Sequence, residues 1–401
     1  MPTSFLRRFI RTEAFSGIAV LIAALIAVLW ANIGGSYSSI WATQLSFGVG
    51  ESFILIDLSH FIGEVAMSAF FLLIGLEIRR ELTNGHLSST SARVAPLVAS
   101  IAGTIIPALI FLVLVSPEQR RGWAIPTATD IALVIGMFAL LARKLHPGTR
   151  VLLLSIAIID DVIGIGLLAI LSSSSINLAF TASAFILTLV MYFIVRQKNL
   201  PIVFILLFWL SLLQLLHLGG VHPTLSGVLV AFVVTAGPPR NDQNASTIER
   251  LETLLHPWVS FFVLPAFVLS HAGVTFAGVD RTSLAVAVAL FIGKPLAVFG
   301  SLWLSCRFGW LRLPSGIGVR DLAVLGALCG AGLTVSSLIA TASLTDPQPA
   351  ILGVLLGTAI SLTLAVLFTL IPASSERILA EPLGEEVSDQ AAAGMILPTE
   401  S

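Results

Sequence analysis

The hydrophobic positions of this chain fall in long, nearly unbroken runs, not in alternating or heptad patterns. About twelve such runs can be drawn, over 14–32, 58–82, 95–115, 121–142, 150–172, 178–196, 201–217, 221–236, 250–274, 284–306, 321–343 and 349–372. A helix rises about 1.5 Å per residue, so about 20 apolar residues cross about 30 Å of hydrocarbon. The pattern predicts an all-α integral membrane protein with about 12 transmembrane helices. Runs seven and eight are short and separated only by Leu218, Gly219 and Gly220, so one span is the other way to read them.

Composition agrees. The chain is 56% hydrophobic and 11% charged, against about 25% charged in soluble domains. A net charge of −1 gives no basic surface for nucleic acid. Cys306 and Cys329 both lie in apolar runs and read as small packing residues, not as a disulfide or a zinc site. The start, MPTSFLRRFIR, resembles the basic end of a signal peptide. The run from Ser16 to Ala31 ends in LWANIGG without a small-residue cleavage site, which favours an uncleaved first helix.

The basic residues set an orientation. With the N-terminus inside, only Arg120, Arg121 and Arg281 of the 21 Lys and Arg residues fall outside, and Lys294 is left within a span. By the positive-inside rule, both termini are expected to be cytoplasmic. Residues 1–373 then form one transmembrane unit. The tail, 374–401, carries Glu376, Glu381, Glu385, Glu386, Asp389 and Glu400 and is expected to be disordered. Residues 43–57, TQLSFGVGESFILID, alternate in parts around Gly48 and Gly50; they suit an external β-hairpin or an ordinary loop equally.

Four charges stand out at the centres of spans: Asp130, Asp160, Asp161 and Lys294. Each costs about 2.5–3.5 kcal/mol at a bilayer centre, so each is a functional candidate. Asp160 and Asp161 are adjacent and point about 100° apart on a helix. One can line a cavity while the other pairs sideways. Burial disfavours the charge on each, and their repulsion disfavours having both, so they take up protons as a pair. Such a carboxylate holds a proton or a metal cation but not both, which is the chemistry of cation/proton exchange. A structural ion pair between helices is the plainer reading. Lys294, in ALFIGKPLAVF, can pair with one of these aspartates, and burial also equips it to release a proton.

Two spans look interrupted. In WAIPTATDIALVIG, Pro126 removes a backbone donor, and Thr127, Thr129 and Asp130 follow. Broken ends carry about half a charge each, and Asp130 suits a positive one. A simple proline kink is the alternative. In DLAVLGALCGAGLTVSSLIATAS, Gly326, Gly330 and Gly332 precede Thr334, Ser336 and Ser337. These are spans 4 and 11, at matching places in spans 3–5 and 10–12 and in opposite membrane orientations. That is the pattern of an inverted repeat with a midplane ion site.

Seven blocks, in order, make the chain similar to a known family: FFLLIGLEIRREL (70–82), GWAIPTATDIAL (122–133), AIIDDVIG (157–164), GVHPTLSG (220–227), LHPWVSFFVLPAF (255–267), IGKPL (292–296) and GAGLTVS (330–336). Over roughly residues 12–372 it resembles the NhaA-type sodium/proton antiporter family. The resemblance implies a prokaryotic plasma-membrane carrier with no cofactor and no enzymatic reaction. It would export Na⁺ or Li⁺ for inward H⁺ and contribute to pH homeostasis. It implies that Asp161 is the primary cation carboxylate, that Asp160 pairs with Lys294 when proton-loaded, and that Thr129 and Asp130 sit at crossing discontinuous helices, with Thr129 helping to hold the ion. An Asp-Asp pair implies electrogenic exchange, more than one proton per sodium. Glu77, Arg80, Glu81, Glu252 and His256 match a cytoplasmic funnel tied to pH response; read alone they are a solvated helix end. His222, an interfacial histidine by itself, joins that set by resemblance. The hairpin region matches the family's dimer contact and implies a homodimer. Thr253 and His271 depart from the family pattern, which puts the pH response in question but not the aspartates.

Rival readings make different demands. A proton-coupled organic-solute transporter needs a wider, polar-lined cavity. A channel needs no proton coupling. An intramembrane aspartyl protease needs aspartates on different helices and a G-x-G-D motif, which is absent, as is the nucleotide-binding G-x-x-x-x-G-K-[ST].

Overall fold

A computed structural model of the chain describes residues 3–49, 52–83, 90–171, 176–197, 201–234, 247–276, 278–311, 313 and 316–372. The acidic tail lies outside them. Helix α1 (Thr3–Ile33) is followed by the short α2 (Tyr37–Trp41) and two strands, β1 (Gln44–Val49) and β2 (Ser52–Asp57). The strands pair antiparallel from Gln44↔Asp57 to Val49↔Ser52, as the two arms of a hairpin. Next come α3 (Leu58–Thr83), α4 (Thr90–Leu114), the 3-10 helix α5 (Pro117–Thr127), α6 (Ile131–Leu141) and α7 (Pro147–Leu171). The second half contains α8 (Leu178–Gln197), α9 (Ile202–Leu218), α10 (Leu225–Val234), α11 (Leu251–His271), α12 (Arg281–Arg307), α13 (Val319–Cys329), α14 (Thr334–Ser343) and α15 (Gln348–Phe368).

Among the described residues, eight helices are long and apolar enough to cross a membrane. Two further pairs, α5 with α6 and α13 with α14, qualify jointly and bend by 49° and 40° at breaks of at most four residues, which raises the number to ten. The expected spans seven and eight are α9 and α10, at 17 and 10 residues. They are apolar but shorter than the other candidates, so length and composition give eight to ten spans among the described residues. Gly220, at φ 72°, makes the turn between them in the left-handed region that glycine adopts without strain.

Spans α3, α11 and α12 each contain a widened π turn, at Ile62–Ala66, Val259–Val263 and Ala289–Gly293. In α11 and α12 a proline stands two residues past the turn, Pro265 and Pro295. Proline has no N–H and its ring clashes with the carbonyl four residues back; the extra residue in the turn relieves both. In α12 that turn ends immediately before Lys294.

Helices meet closely where side chains are smallest. A Cβ on Gly17 would stand 2.9 Å from the Ala132 carbonyl oxygen, so α1 lies directly against α6. The seam of α3 with α10 is tighter: a Cβ on Gly227 would lie 2.1 Å from the Ser68 carbonyl oxygen and 2.6 Å from Leu72 N. Both obstacles are backbone and cannot swing aside. Gly227→Ala is therefore expected to destabilise the protein by about 1–3 kcal/mol, seen as a lower melting temperature in detergent; an unchanged melting temperature would show that the seam can open. At the hairpin end, the Tyr37 hydroxyl donates to Leu269 O (2.9 Å) and accepts from Gly273 N (3.0 Å), tying α2 to the end of α11. Burial pushes this phenol up to about 12, so it stays protonated as the donor.

Candidate ion site at two interrupted helices

The two breaks lie against each other. Residues 128–130 join α5 to α6, residues 330–333 join α13 to α14, and Asp130 N donates to Ala331 O at 2.8 Å. Breaking a helix exposes N–H groups at one end and carbonyls at the other. Here each end meets its opposite charge. The Asp130 carboxylate accepts from Leu133 N (3.1 Å) in α6 and from Thr334 N (3.0 Å) in α14, so one side chain caps two helix N-termini. At the C-terminal ends, the Lys294 ammonium donates to Thr127 O of α5, and the Thr129 hydroxyl lies 3.0 Å from Cys329 O of α13.

Asp160 and Asp161 face this crossing from the middle of α7 and divide as their 100° separation requires. Asp160 Oδ2 lies 2.9 Å from Lys294 Nζ and 2.7 Å from Thr129 Oγ1. The Thr129 hydroxyl has a single proton, so it serves either Asp160 or Cys329 O at any moment. Asp161 is 1% exposed, and neither of its carboxylate oxygens has a hydrogen-bond partner. Asp130, Asp160, Lys294 and Glu77 are the charged groups around it. The hydroxyl of Ser336, just past the second break, is also buried without a partner. Gly164, one turn beyond Asp161, admits both breaks to this face of α7: its Cβ position is 3.6 Å from Val335 and 3.8 Å from Ala128.

An open cleft, about 690 Å³ including its mouth, leads toward the crossing. Glu77, Arg80 and Glu81 of α3 and His256 of α11 line it, together with Ser16 of α1 and apolar side chains of α3, α6, α7 and α11. It reaches Ile131, next to Asp130, and Ile158, two residues before Asp160. Arg80 donates to Glu252 Oε2 at 2.7 Å, joining α3 to α11 at the rim. Five of the expected funnel residues thus come together. His222 does not join them. It bonds Thr224 Oγ1 at 2.8 Å and lies near Glu64 and His217. Glu64 pairs with His217 at 3.1 Å and precedes Arg80 by 16 residues, about 24 Å along α3. His271 stacks on Phe267, with centroids 4.2 Å apart, and stands against Gly63.

The Glu64–His217 pair has no place in the sequence reading. Glu64 lies inside the 58–82 run and meets the same test of charge within a span; only the fold reveals its partner. Among the described residues, no group of three or more His, Cys, Asp or Glu is placed to hold a resident metal ion.

Fold and site together define a polytopic helical membrane protein whose buried charges gather where two interrupted helices touch. Residues 7–369 match the family model described as Na+/H+ antiporter 1. Similar proteins include the Na(+)/H(+) antiporter NhaA of Cupriavidus necator, 34% identical over 96% of this chain and 94% of that one. The Na(+)/H(+) antiporter NhaA 1 of Klebsiella pneumoniae is 37% identical over 89% and 93%, and the Na(+)/H(+) antiporter NhaA 2 of Pseudomonas putida 36% over 85% and 86%. The chain belongs to this Na+/H+ antiporter family.

Proposed function

We propose that this protein is an electrogenic secondary antiporter that exports cytoplasmic Na⁺ or Li⁺ in exchange for inward H⁺ at the Asp160/Asp161 pair. The observation that carries this reading is Asp161: two carboxylate oxygens, buried and unpartnered, one turn from Ile158 at the inner end of a cleft that carries Glu77 and Glu81. A carboxylate left so must be relieved by a proton or a small cation, and the two exclude each other. Asp160 supplies the second exchangeable charge. When a cation neutralises the site, the hold of Asp160 on Lys294 weakens; when protons return, the site empties. Two carboxylates for one sodium allow more than one proton per ion, hence net charge movement.

In this reading the bent pairs are discontinuous spans 4 and 11 of an inverted repeat, and they move against the neighbouring helices so that the site opens to each side in turn. Cations enter by the cleft at Glu77, Glu81 and His256, from the cytoplasm, which also holds both termini. The membrane is the bacterial cytoplasmic membrane. The hairpin faces outward, and an edge strand there pairs readily with another copy, so the working form is a homodimer; mass measurement in detergent with and without residues 44–57 should show dimer and monomer respectively. An organic-solute carrier would need a polar cavity, whereas this cleft is mainly apolar below its rim.

The test is collapse of ΔpH in everted vesicles on adding NaCl or LiCl. Inserted wild-type protein should dissipate the gradient, and valinomycin with K⁺ should speed it by removing the charge imbalance. No collapse between about pH 6.5 and 9 would rule out sodium/proton exchange.

A further inference from the structure

The break between α13 and α14 frees backbone groups deep inside the protein, and their partners can be followed one by one. Gly330 N and Ala331 N close tight turns onto Ala327 O and Leu328 O, at 3.1 and 3.0 Å. Cys329 O faces Thr129, Ala331 O accepts from Asp130 N, and Thr334 N donates to the Asp130 carboxylate. All of these partners belong to the crossing itself. Gly332 N is different: it donates across to Thr358 Oγ1 of α15, at 3.3 Å. Thr358 is 3% exposed. No water reaches such a group, so the N–H depends on that one oxygen.

The surroundings leave the break little choice of position. Ser361, one turn further along α15, occupies the space where a Gly330 Cβ would go, 2.3 Å from its Oγ. On the other side, a Gly332 Cβ would meet Ala128 O at 2.6 Å and Ser336 Oγ at 2.7 Å. Those two oxygens crowd that face of Gly332, and Ala128 belongs to the first break, next to Thr129. If the segment, released from Thr358, moved that way, residues 330–333 would press on Ala128 and displace Thr129 and Asp130.

We propose that Thr358 is a positioning residue for ion exchange: its hydroxyl oxygen fixes the second break so that Thr129 and Asp130 stay in register with the aspartates of α7. This rests on the exchange reading above. It also gives α15 a role parallel to that of α7. The carboxylate of Asp160 in α7 serves Thr129 at the first break, and a hydroxyl in α15 serves the second. A hydroxyl has no charge to gain or lose in the cycle. One break therefore answers to proton and cation, while the other keeps the same partner throughout.

The test uses full-length protein in vesicles, with Thr358→Val, which keeps the shape and removes the acceptor, and Thr358→Ser, which keeps the acceptor. Thr358→Val is expected to raise the half-saturating Na⁺ concentration about tenfold, with the maximal rate within about twofold; tenfold corresponds to about 1.4 kcal/mol. Thr358→Ser should stay within about twofold of wild type in both. Wild-type sodium dependence in Thr358→Val overturns the proposal. So does equal impairment of the serine variant, which would make methyl packing the cause. Amide exchange of the 330–334 segment in detergent is a second readout: about tenfold faster in Thr358→Val and unchanged in Thr358→Ser is expected, by the loss of one buried hydrogen bond. Equal rates overturn the proposal. Should Thr358→Val not accumulate, Thr358→Ala replaces it, with the same expected and overturning results. The exchange readout needs no transport, so it decides the point even if wild type moves no sodium, an outcome that would sink the antiport reading alone.

Discussion

Asp161→Asn is expected to abolish sodium-dependent ΔpH collapse while leaving the protein as stable as wild type or more so. The two halves of this result have one cause. Both Asp161 oxygens are buried without a hydrogen-bond partner, so the amide loses no bond on replacing the carboxylate. It removes a charge whose burial costs free energy. Volume and shape hardly change. What disappears is the group that can hold a proton or a cation in turn. Transport should fall by at least about 100-fold, equivalent to roughly 2.7 kcal/mol or more, while the melting temperature in detergent stays level or rises. A variant that still exchanges sodium for protons would remove Asp161 from the site. A variant that melts well below wild type would mean that the carboxylate serves the fold.

The second large effect is at Lys294, with the opposite signature. Lys294 is fully buried; its ammonium holds Asp160 and also serves the Thr127 carbonyl at the end of α5. Lys294→Met keeps the length and apolar stem but strands both partners. Breaking a buried pair from one side costs about 3–5 kcal/mol, because the charge left behind is uncompensated. Adding Asp160→Asn to Lys294→Met should restore most of that stability, although the Thr127 carbonyl still lacks its donor. Chemical unfolding in detergent of the wild type, both single variants and the double variant closes the cycle. If Lys294→Met is as stable as wild type, the pair does not hold the crossing together. If the double variant is no better than the single, the loss at Thr127 outweighs the loss at Asp160.

Much of the site could be read from the sequence because charge inside an apolar run is costly wherever it occurs. Asp130, Asp160, Asp161 and Lys294 are visible for that reason alone, and adjacency on a helix already gives Asp160 and Asp161 different surroundings. Pro126 and the Gly330/Gly332 pair mark the breaks, since each removes something a continuous helix needs. The hairpin stayed open because Gly48 and Gly50 interrupt its alternation exactly where a loop would also place glycine. The number of spans is legible only coarsely, because α9 and α10 are apolar helices of 17 and 10 residues, shorter than the other candidates. Partners on other helices were illegible. Nothing in the α15 sequence says that Thr358 faces Gly332, or that His217 faces Glu64, because an i-to-j contact across helices has no local period. The resemblance carried the funnel residues, which pattern alone reads as a solvated helix end, and it grouped His222 with residues from which the fold separates it.

The Asp130 cap has a consequence for how the protein is made. Its carboxylate reaches Thr334, and its N–H reaches Ala331, some 200 positions later in the chain. During synthesis, α5 and α6 are therefore complete long before the segment that finishes them exists. Until α12 arrives the first break has no ammonium for Thr127 O, and until α13 and α14 arrive it has no acceptor for Asp130 N; a bilayer supplies neither. The early half cannot settle as an interrupted span on its own. The crossing can close only when the last third of the chain is in place.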